Sequence, residues 1–484
     1  MNYGIVISML GNVMLVEAGT LILPLIVALV YGESIKPFIV AIAMILVFFA
    51  ITRISKSSRK DLYAKEGFAI VGLSWIFMSL FGAVPFVISG DIPNYVDAVF
   101  ETVSGFTTTG ASIMANVETM GKACMFWRMF THWIGGMGVL VFIMAIVPMR
   151  GEHYMHIMRA EVPGPVVGKL VPKVRETAKL LYIIYMMMTV IEVILLVIGK
   201  MSFYDALINS FATAGTGGFS NRALSIGYYN SAYVDIIIGT FMILFGINFN
   251  LYYFILIGRA KSAFKSEELR VYLSIIVLAV IAIVINTREL FDNIFEGLRY
   301  AYFQVASIIT TTGFSTTDFN TWPELSKWIL VMLMFTGACA GSTGGGIKIS
   351  RIIVLVKSFI FDLKKQVRPN GVGKIWIEGK KVEDQTVRDI NVFFILYMFI
   401  LCCSILIISS DGFDLETNFT GALACLSNIG PGLSVVGPTG NFGGFSYLSK
   451  IVLIFDMLIG RLEIYPILFL FMPSTWRIRT KNVY

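Results

Sequence analysis

The stretch "IITTTGFSTTDF", residues 308–319, carries five threonines, one glycine and a serine between two strongly apolar segments. A surface loop rarely sets so many hydroxyl groups against the end of an apolar helix, so these oxygen atoms need a purpose. Extended to "YAYFQVASIITTTGFS" (300–315), the segment has three relatives in the chain. They are "DAVFETVSGFTTTGAS" (97–112), "DALINSFATAGTGGFS" (205–220) and, more distantly, "TNFTGALACLSNIGPG" (417–432). Each has a glycine 13 residues after its first position: Gly110, Gly218, Gly313 and Gly430. A repeat of this kind governs the whole architecture.

The chain of 484 residues is 56% hydrophobic and 14% charged, with a mean hydropathy of +0.78. A soluble domain is about 25% charged, so this is a membrane protein. Apolar runs such as Ile5 to Val30, Leu181 to Ile198, Val271 to Ile285 and Val392 to Ile408 approach or exceed the roughly 20 residues that cross a bilayer. The first run is read as a retained helix, because it is too long for a signal peptide and lacks a basic leader and a cleavage site. Five cysteines (Cys124, Cys339, Cys402, Cys403, Cys425) lie in or beside apolar segments and are read as buried small side chains outside any disulfide framework.

The net charge of +7 reports topology, not nucleic acid. Lys and Arg gather in short links at 53–65, 167–179, 258–270, 357–374 and 476–481. The positive-inside rule puts these links and both termini in the cytoplasm, and the four glycine motifs on the opposite side.

The residues before each glycine motif read as a short helix, opened in two copies by Asp97 and Asp205, a residue type that caps helix starts. The repeat unit is then a long outer helix, a short pore helix, a polar turn and a long inner helix. Outer helices are expected near 68–90, 178–199, 271–288 and 390–410, and inner helices near 123–148, 233–258, 325–357 and 449–473. Two further helices, about 3–30 and 37–52, precede them, giving ten spanning helices. The fold class is an all-α polytopic membrane protein of four repeated units around one pore, with an extra N-terminal helix pair. Its divisions are 1–60 for that pair and 61–150, 151–260, 261–375 and 376–484 for the units.

Non-helical backbone at membrane depth survives only when buried in protein or lining a watery cavity. Four such turns therefore share one axis, where backbone carbonyls can replace the hydration water of a cation and glycine gives the chain the freedom to aim them. The expected ligands are Thr108, Thr109 and Gly110; Thr216, Gly217 and Gly218; Thr311, Thr312 and Gly313; and Asn428, Ile429 and Gly430. No carboxylate lies in these turns, which suits a monovalent ion held by dipoles. A single TTTG turn would pass for a loop with local hydroxyl hydrogen bonds; four in register do not.

These motifs, "TTTGAS", "TGGFS", "TTTGFST" and "SNIGPG", together resemble those of the Trk, Ktr and HKT superfamily of microbial and plant potassium transporters. The resemblance covers essentially the whole chain, and the extra N-terminal helix pair is that of the Trk type. It implies potassium uptake across a bacterial plasma membrane, with K⁺ as the transported ion and no organic cofactor in this chain. Implied partners are surrounding lipid, a second copy in a homodimer and a cytosolic ring of nucleotide-binding regulatory subunits of the TrkA type. Coupling to H⁺ or Na⁺ stays open, and the alternative is a nucleotide-regulated monovalent cation channel. Because the second and fourth turns depart from the threonine-rich pattern, the filter is expected to be less symmetric than in tetrameric channels, passing Rb⁺ and some Na⁺.

The segment "FTGACAGSTGGGIKISR" (335–351) interrupts the third inner helix with glycines, each costing about 1 kcal/mol against alanine in a helix. It must be a loop or hinge. The resemblance makes it an intramembrane gate, formed by Gly341, Ser342, Thr343, Gly344, Gly345 and Gly346, with Lys348 beside it. A phosphate-binding loop is excluded because Ile347 separates Gly346 from Lys348 and no strand precedes. Arg461, inside the fourth inner helix, is a functional candidate because ionisable groups in spanning helices are costly. The resemblance places its charge in the pore; the other reading is an ion pair with Glu463 or Asp456. His132, His153 and His156 form no metal site, and no nucleophile-base pair supports an enzyme.

Overall fold

The computed structural model describes residues 1–54, 64–138, 174–367, 374–378 and 380–476. The repeat sets its shape. Outer helices run Ala64–Gly82 continued by Val84–Ser89, then Val174–Ile198, Glu267–Asn286 and Asp384–Ile408. Pore helices are Tyr95–Phe106, Phe203–Gly215, Ile294–Ile309 and Leu415–Leu426. The N-terminal pair comprises Tyr3–Thr20, continued by Ile22–Tyr31, and Lys36–Thr52.

Each pore helix packs against its own inner helix and the inner helix of the preceding unit, with the first pore helix returning to the fourth inner helix. The four units thus close a ring. Around the pore helices the ring is tightly packed: Phe100, Phe106, Phe219, Phe303, Ile308 and Leu426 are all at most 1% exposed. The outer surface is apolar too, with Ile183, Val277, Leu278, Ile395 and Leu406 more than half exposed, as a lipid-facing surface requires.

Among the described residues three inner helices, the second, third and fourth, are broken into two half-helices, whereas only the third was expected to be. The first is Lys122–Gly136; its expected continuation to residue 148, with His153 and His156, lies outside the described residues. The second is Ala232–Phe245 and Phe249–Leu256, bent by 93°. The third is Glu324–Thr336 and Ile349–Val367, and the fourth Tyr447–Arg461 and Tyr465–Phe471. The causes are local. Asn248 caps the second half-helix by accepting from Asn250 N at 2.9 Å. Glu463 and Ile464 sit at positive φ of 58° and 68°, and Pro466 occupies the first turn of the half-helix that follows. Among the described residues, five helices are by themselves long and apolar enough to cross a membrane, or six if the bent pair is one span, and Lys36–Thr52 is apolar but shorter.

Pore-helix starts also differ from expectation. The caps lie three residues upstream of the aspartates: Asn94 accepts from Val96 N at 2.9 Å and Ser202 from Asp205 N at 3.1 Å. Asp97 instead pairs with Lys450 at 2.7 Å, and Asp205 accepts from Asn221 at 2.7 Å. The cysteines are free, but Cys402 is exposed and Cys403 half-buried on an outer helix. A two-stranded hairpin, Trp376–Ile377 with Lys380–Lys381, is the one sheet among the described residues.

Candidate cation pathway

Each pore helix ends in the same way, and its ending aims the backbone. The amides of Thr108, Thr216, Thr311 and Asn428 reach back to Gly105, Thr213, Ile308 and Cys425 at 3.1, 2.9, 3.0 and 3.2 Å. Those of Thr109, Gly217, Thr312 and Ile429 reach Ser104, Ala212, Ser307 and Ala424 at 2.9, 2.9, 2.8 and 2.8 Å. This pair of bonds is the Schellman ending, which needs a left-handed residue just past the helix. Thr108, Thr216, Thr311 and Asn428 supply it, with φ of 53°, 53°, 60° and 56°. Threonine is a poor choice for that region and asparagine a tolerable one. Strain of this kind persists only where surrounding structure enforces it.

With the amides committed to the helix ends, the carbonyls of residues 108–109, 216–217, 311–312 and 428–429 accept no hydrogen bond from the described residues. The glycines that follow, Gly110, Gly218, Gly313 and Gly430, return to positive φ of 82°, 73°, 87° and 96°. Their bare faces also interlock. A Cβ added to Gly110 would strike the Gly217 carbonyl oxygen, one on Gly218 that of Thr312, one on Gly313 that of Ile429, and one on Gly430 that of Thr109. The cycle runs through all four units and closes. All twelve residues expected from the sequence lie in this ring, and its four glycines line a cavity of about 120 Å³.

The ring is braced differently in each unit. Thr107 and Thr109 hydroxyls meet at 2.8 Å, as do those of Thr310 and Thr312 at 2.7 Å. In the second unit the corresponding residues are Gly215 and Gly217, and His132 fills the space. Its Nδ1 lies 2.9 Å from Gly105 O, and its Nε2 accepts from Phe219 N at 3.3 Å. In the fourth unit the Asn428 amide donates to Thr109 Oγ1 and Met457 O, each at 2.9 Å, and Tyr397 Oη meets Ser427 Oγ at 2.6 Å. Thr108 Oγ1 is buried without a hydrogen-bond partner among the described residues.

Sequence reasoning missed the ion pair behind the first two turns. Glu101 and Arg128, both at most 2% exposed, meet at 2.7 Å. Glu101 also accepts from Ser112 Oγ at 2.8 Å and Ile113 N at 2.9 Å; Arg128 donates to Ser220 O at 3.1 Å and stacks 3.5 Å from the Phe219 ring centre. One buried pair therefore pins the chain leaving two neighbouring turns.

Directly against the ring lies the glycine-rich loop between Thr336 and Ile349. Gly345 N donates to Thr311 Oγ1 at 2.6 Å. A Cβ on Gly344 would come within 2.9 Å of Thr310 O, and one on Gly345 within 3.0 Å of the Asn428 Cβ. Side chains larger than hydrogen could not lie so close. Arg461 spans the loop and the first inner helix, donating to Thr343 O at 2.7 Å, Gly135 O at 2.6 Å and Gly136 O at 2.7 Å. Lys348 Nζ donates to Gly344 O within the loop. The alternative partners expected for Arg461 are engaged elsewhere: Glu463 with Arg351, and Asp456 with Ser404 at 2.7 Å.

Four short helices ending on one ring of uncommitted carbonyls, inside a bundle with a lipid-facing surface, define a membrane protein built to pass a cation. The chain belongs to the TrkH family of cation transport proteins, which it matches over residues 35–478. It is similar to the Trk system potassium uptake protein TrkH of Salmonella typhimurium LT2, at 36% identity over 99% of this chain and 100% of that protein. The Trk system potassium uptake protein TrkG of Escherichia coli K12 is 30% identical, covering 98% of each. Among solved structures, the potassium transporter TrkH from Vibrio parahaemolyticus aligns with a TM-score of 0.88 and 32% identity, over 99% of this chain and 100% of the other. The family is one of transporters, not enzymes.

Proposed function

We propose that this protein takes up potassium ions across a bacterial plasma membrane, as the membrane subunit of a Trk-type system. The observation that carries the reading is the closed ring, in which four left-handed helix endings leave eight carbonyls free around one axis. A dehydrated cation needs oxygen ligands of moderate field strength, and carbonyl dipoles supply them. The four pore-helix C-termini converge on the ring, each with roughly half a negative charge, which favours a cation without a fixed carboxylate. Residues 108–110, 216–218, 311–313 and 428–430 form the selectivity filter. The loop from Gly341 to Gly346, with Lys348, is the gate. Arg461 serves as a tether of that gate and as a positive charge that limits cation passage. Entry is driven by the membrane potential, about 2.3 kcal/mol per charge per 100 mV.

Both termini face the cytoplasm, the protein works as a homodimer, and a nucleotide-binding ring of the TrkA type docks on the basic links. The units divide at residues 60, 150, 260 and 375. Relatives named as potassium uptake proteins favour uptake over the nucleotide-regulated channel. The test is ⁸⁶Rb⁺ uptake into potassium-loaded proteoliposomes. The wild type should accumulate the ion and Gly313→Ser should change the Rb⁺ to Na⁺ preference. No accumulation by the wild type, with the regulatory ring and nucleotide present, would end this reading.

A further inference from the structure

Both arms of the glycine-rich loop are held by one carboxylate that lies outside it. Glu268, buried in the first turn of outer helix 3, accepts from Ala340 N at 2.7 Å and from Ser350 N at 3.1 Å through the same Oε1 atom. Ala340 precedes the loop's tight segment and Ser350 follows it. A single oxygen therefore draws the two ends together, and the chain between them is pressed against Thr310, Thr311 and Asn428 of the ring. Hydrogen bonds to a charged acceptor are the strong ones, and backbone amides leave no side-chain freedom to absorb their loss.

Glu268 is itself held from further out. At the tip of the hairpin 376–381, Glu378 adopts a left-handed φ of 54°. Its Oε1 accepts from Ser266 Oγ at 2.7 Å, Glu267 N at 2.8 Å and Glu268 N at 3.5 Å, so it sits on the N-terminus of outer helix 3. An anion there is favoured by the helix dipole and the free amides. Lys357, on the half-helix that continues the loop, closes the arrangement: it pairs with Glu267 at 2.6 Å and donates to Trp376 O at 2.7 Å. The line of contact thus runs from hairpin to helix start to Glu268 to loop.

We infer that Glu268 is a positioning residue that holds the loop closed beneath the ring, and that Glu378 at the hairpin tip sets Glu268 in place. A load applied to the hairpin moves the loop through these two carboxylates. The inference rests on the loop being the gate; the readout chosen for it does not depend on transport. Cys339 lies within the loop and is fully buried, so its reaction with a membrane-impermeant thiol reagent, mapped by peptide mass, reports loop opening. Cys425, also fully buried but in pore helix 4, reports general unfolding.

In the full-length protein, Glu268→Ala should raise Cys339 labelling and basal ⁸⁶Rb⁺ flux at least about tenfold, the equilibrium shift that the loss of one charge-assisted hydrogen bond produces. Cys425 labelling and the Rb⁺ to Na⁺ preference should stay fixed. Glu268→Gln keeps an acceptor oxygen and should remain within about threefold of wild type. Glu378→Ala, a surface change that leaves the core intact, should raise Cys339 labelling about threefold, and the double variant should match Glu268→Ala alone because the two act in series. Unchanged Cys339 labelling in Glu268→Ala overturns the role of Glu268, as does labelling that rises equally at Cys425. Unchanged labelling in Glu378→Ala, or effects that simply multiply in the double variant, overturns the link to the hairpin. A wild type that carries no Rb⁺ counts against the transport reading, while Cys339 labelling still decides the role of Glu268.

Discussion

Alanine at residue 430 is expected to abolish selective uptake, while alanine at residue 421, in the pore helix of the same unit, leaves it intact. A Cβ on Gly430 would stand 2.7 Å from Thr109 O and 2.9 Å from the Gly110 carbonyl carbon, at a φ of +96°. A non-glycine residue in such a conformation costs about 1–3 kcal/mol, and overpacking of this kind adds about 1–3 kcal/mol. The sum, about 2–6 kcal/mol, weighs against the native ring by at least about 30-fold. The chain as a whole, with a stability of order 5–15 kcal/mol, still folds. What yields is the contact, so Thr109 O and its neighbours leave their places. On Gly421 the added Cβ finds its nearest neighbours at 3.6 Å, ordinary contact, and the helix gains about 0.5–1 kcal/mol. The assay is ⁸⁶Rb⁺ uptake into potassium-loaded proteoliposomes at matched protein content, with thermal unfolding on the same preparations. Wild-type uptake and wild-type Rb⁺ to Na⁺ preference in Gly430→Ala would refute the ring as the selective element.

Three further outcomes are expected. Arg461→Ala removes three hydrogen bonds from a charged donor; with about 1.5–3 kcal/mol for even one of them, basal flux should rise by an order of magnitude or more, and Arg461→Lys should fall between, because lysine keeps the charge without the planar fork. Glu101→Ala, which strands the buried Arg128, should cost about 3–5 kcal/mol of stability in chemical denaturation, whereas the double change Glu101→Leu with Arg128→Met should recover most of it. His132→Ala empties the space beside Gly215 and Gly217, removes the acceptor of Phe219 N and leaves Gly105 O with the Thr108 amide alone; it should cost roughly 2–4 kcal/mol and broaden cation preference in competitive uptake more than Tyr397→Phe does.

The repeated glycine was legible because its requirement is absolute. Positive φ at residues 110, 218, 313 and 430, each against a neighbouring carbonyl, leaves no other residue type, so the signal survives even in the divergent fourth unit. The broken inner helices were not legible outside the glycine-rich third. Asn248 and Pro466 are each tolerated in a membrane helix, and nothing local announces that the chain turns there. His132 looked like an isolated histidine because its function is to fill space left by glycines in another unit. Glu101 and Arg128 lie on different helices, and Glu268 reads as an ordinary first-turn acid until the loop that it holds is folded around it. Pore-helix caps were misplaced because Asp97 and Asp205 have the right chemistry for a cap and instead make ion pairs to Lys450 and Arg222.

The most direct measurement is anomalous diffraction from crystals grown in Rb⁺ in place of K⁺. A carbonyl ring that holds the transported ion predicts an Rb⁺ peak on the axis among the oxygens of Thr109, Gly217, Thr312 and Ile429, lost in Gly430→Ala. An empty axis in the wild type, with Rb⁺ bound elsewhere in the protein, would contradict the account.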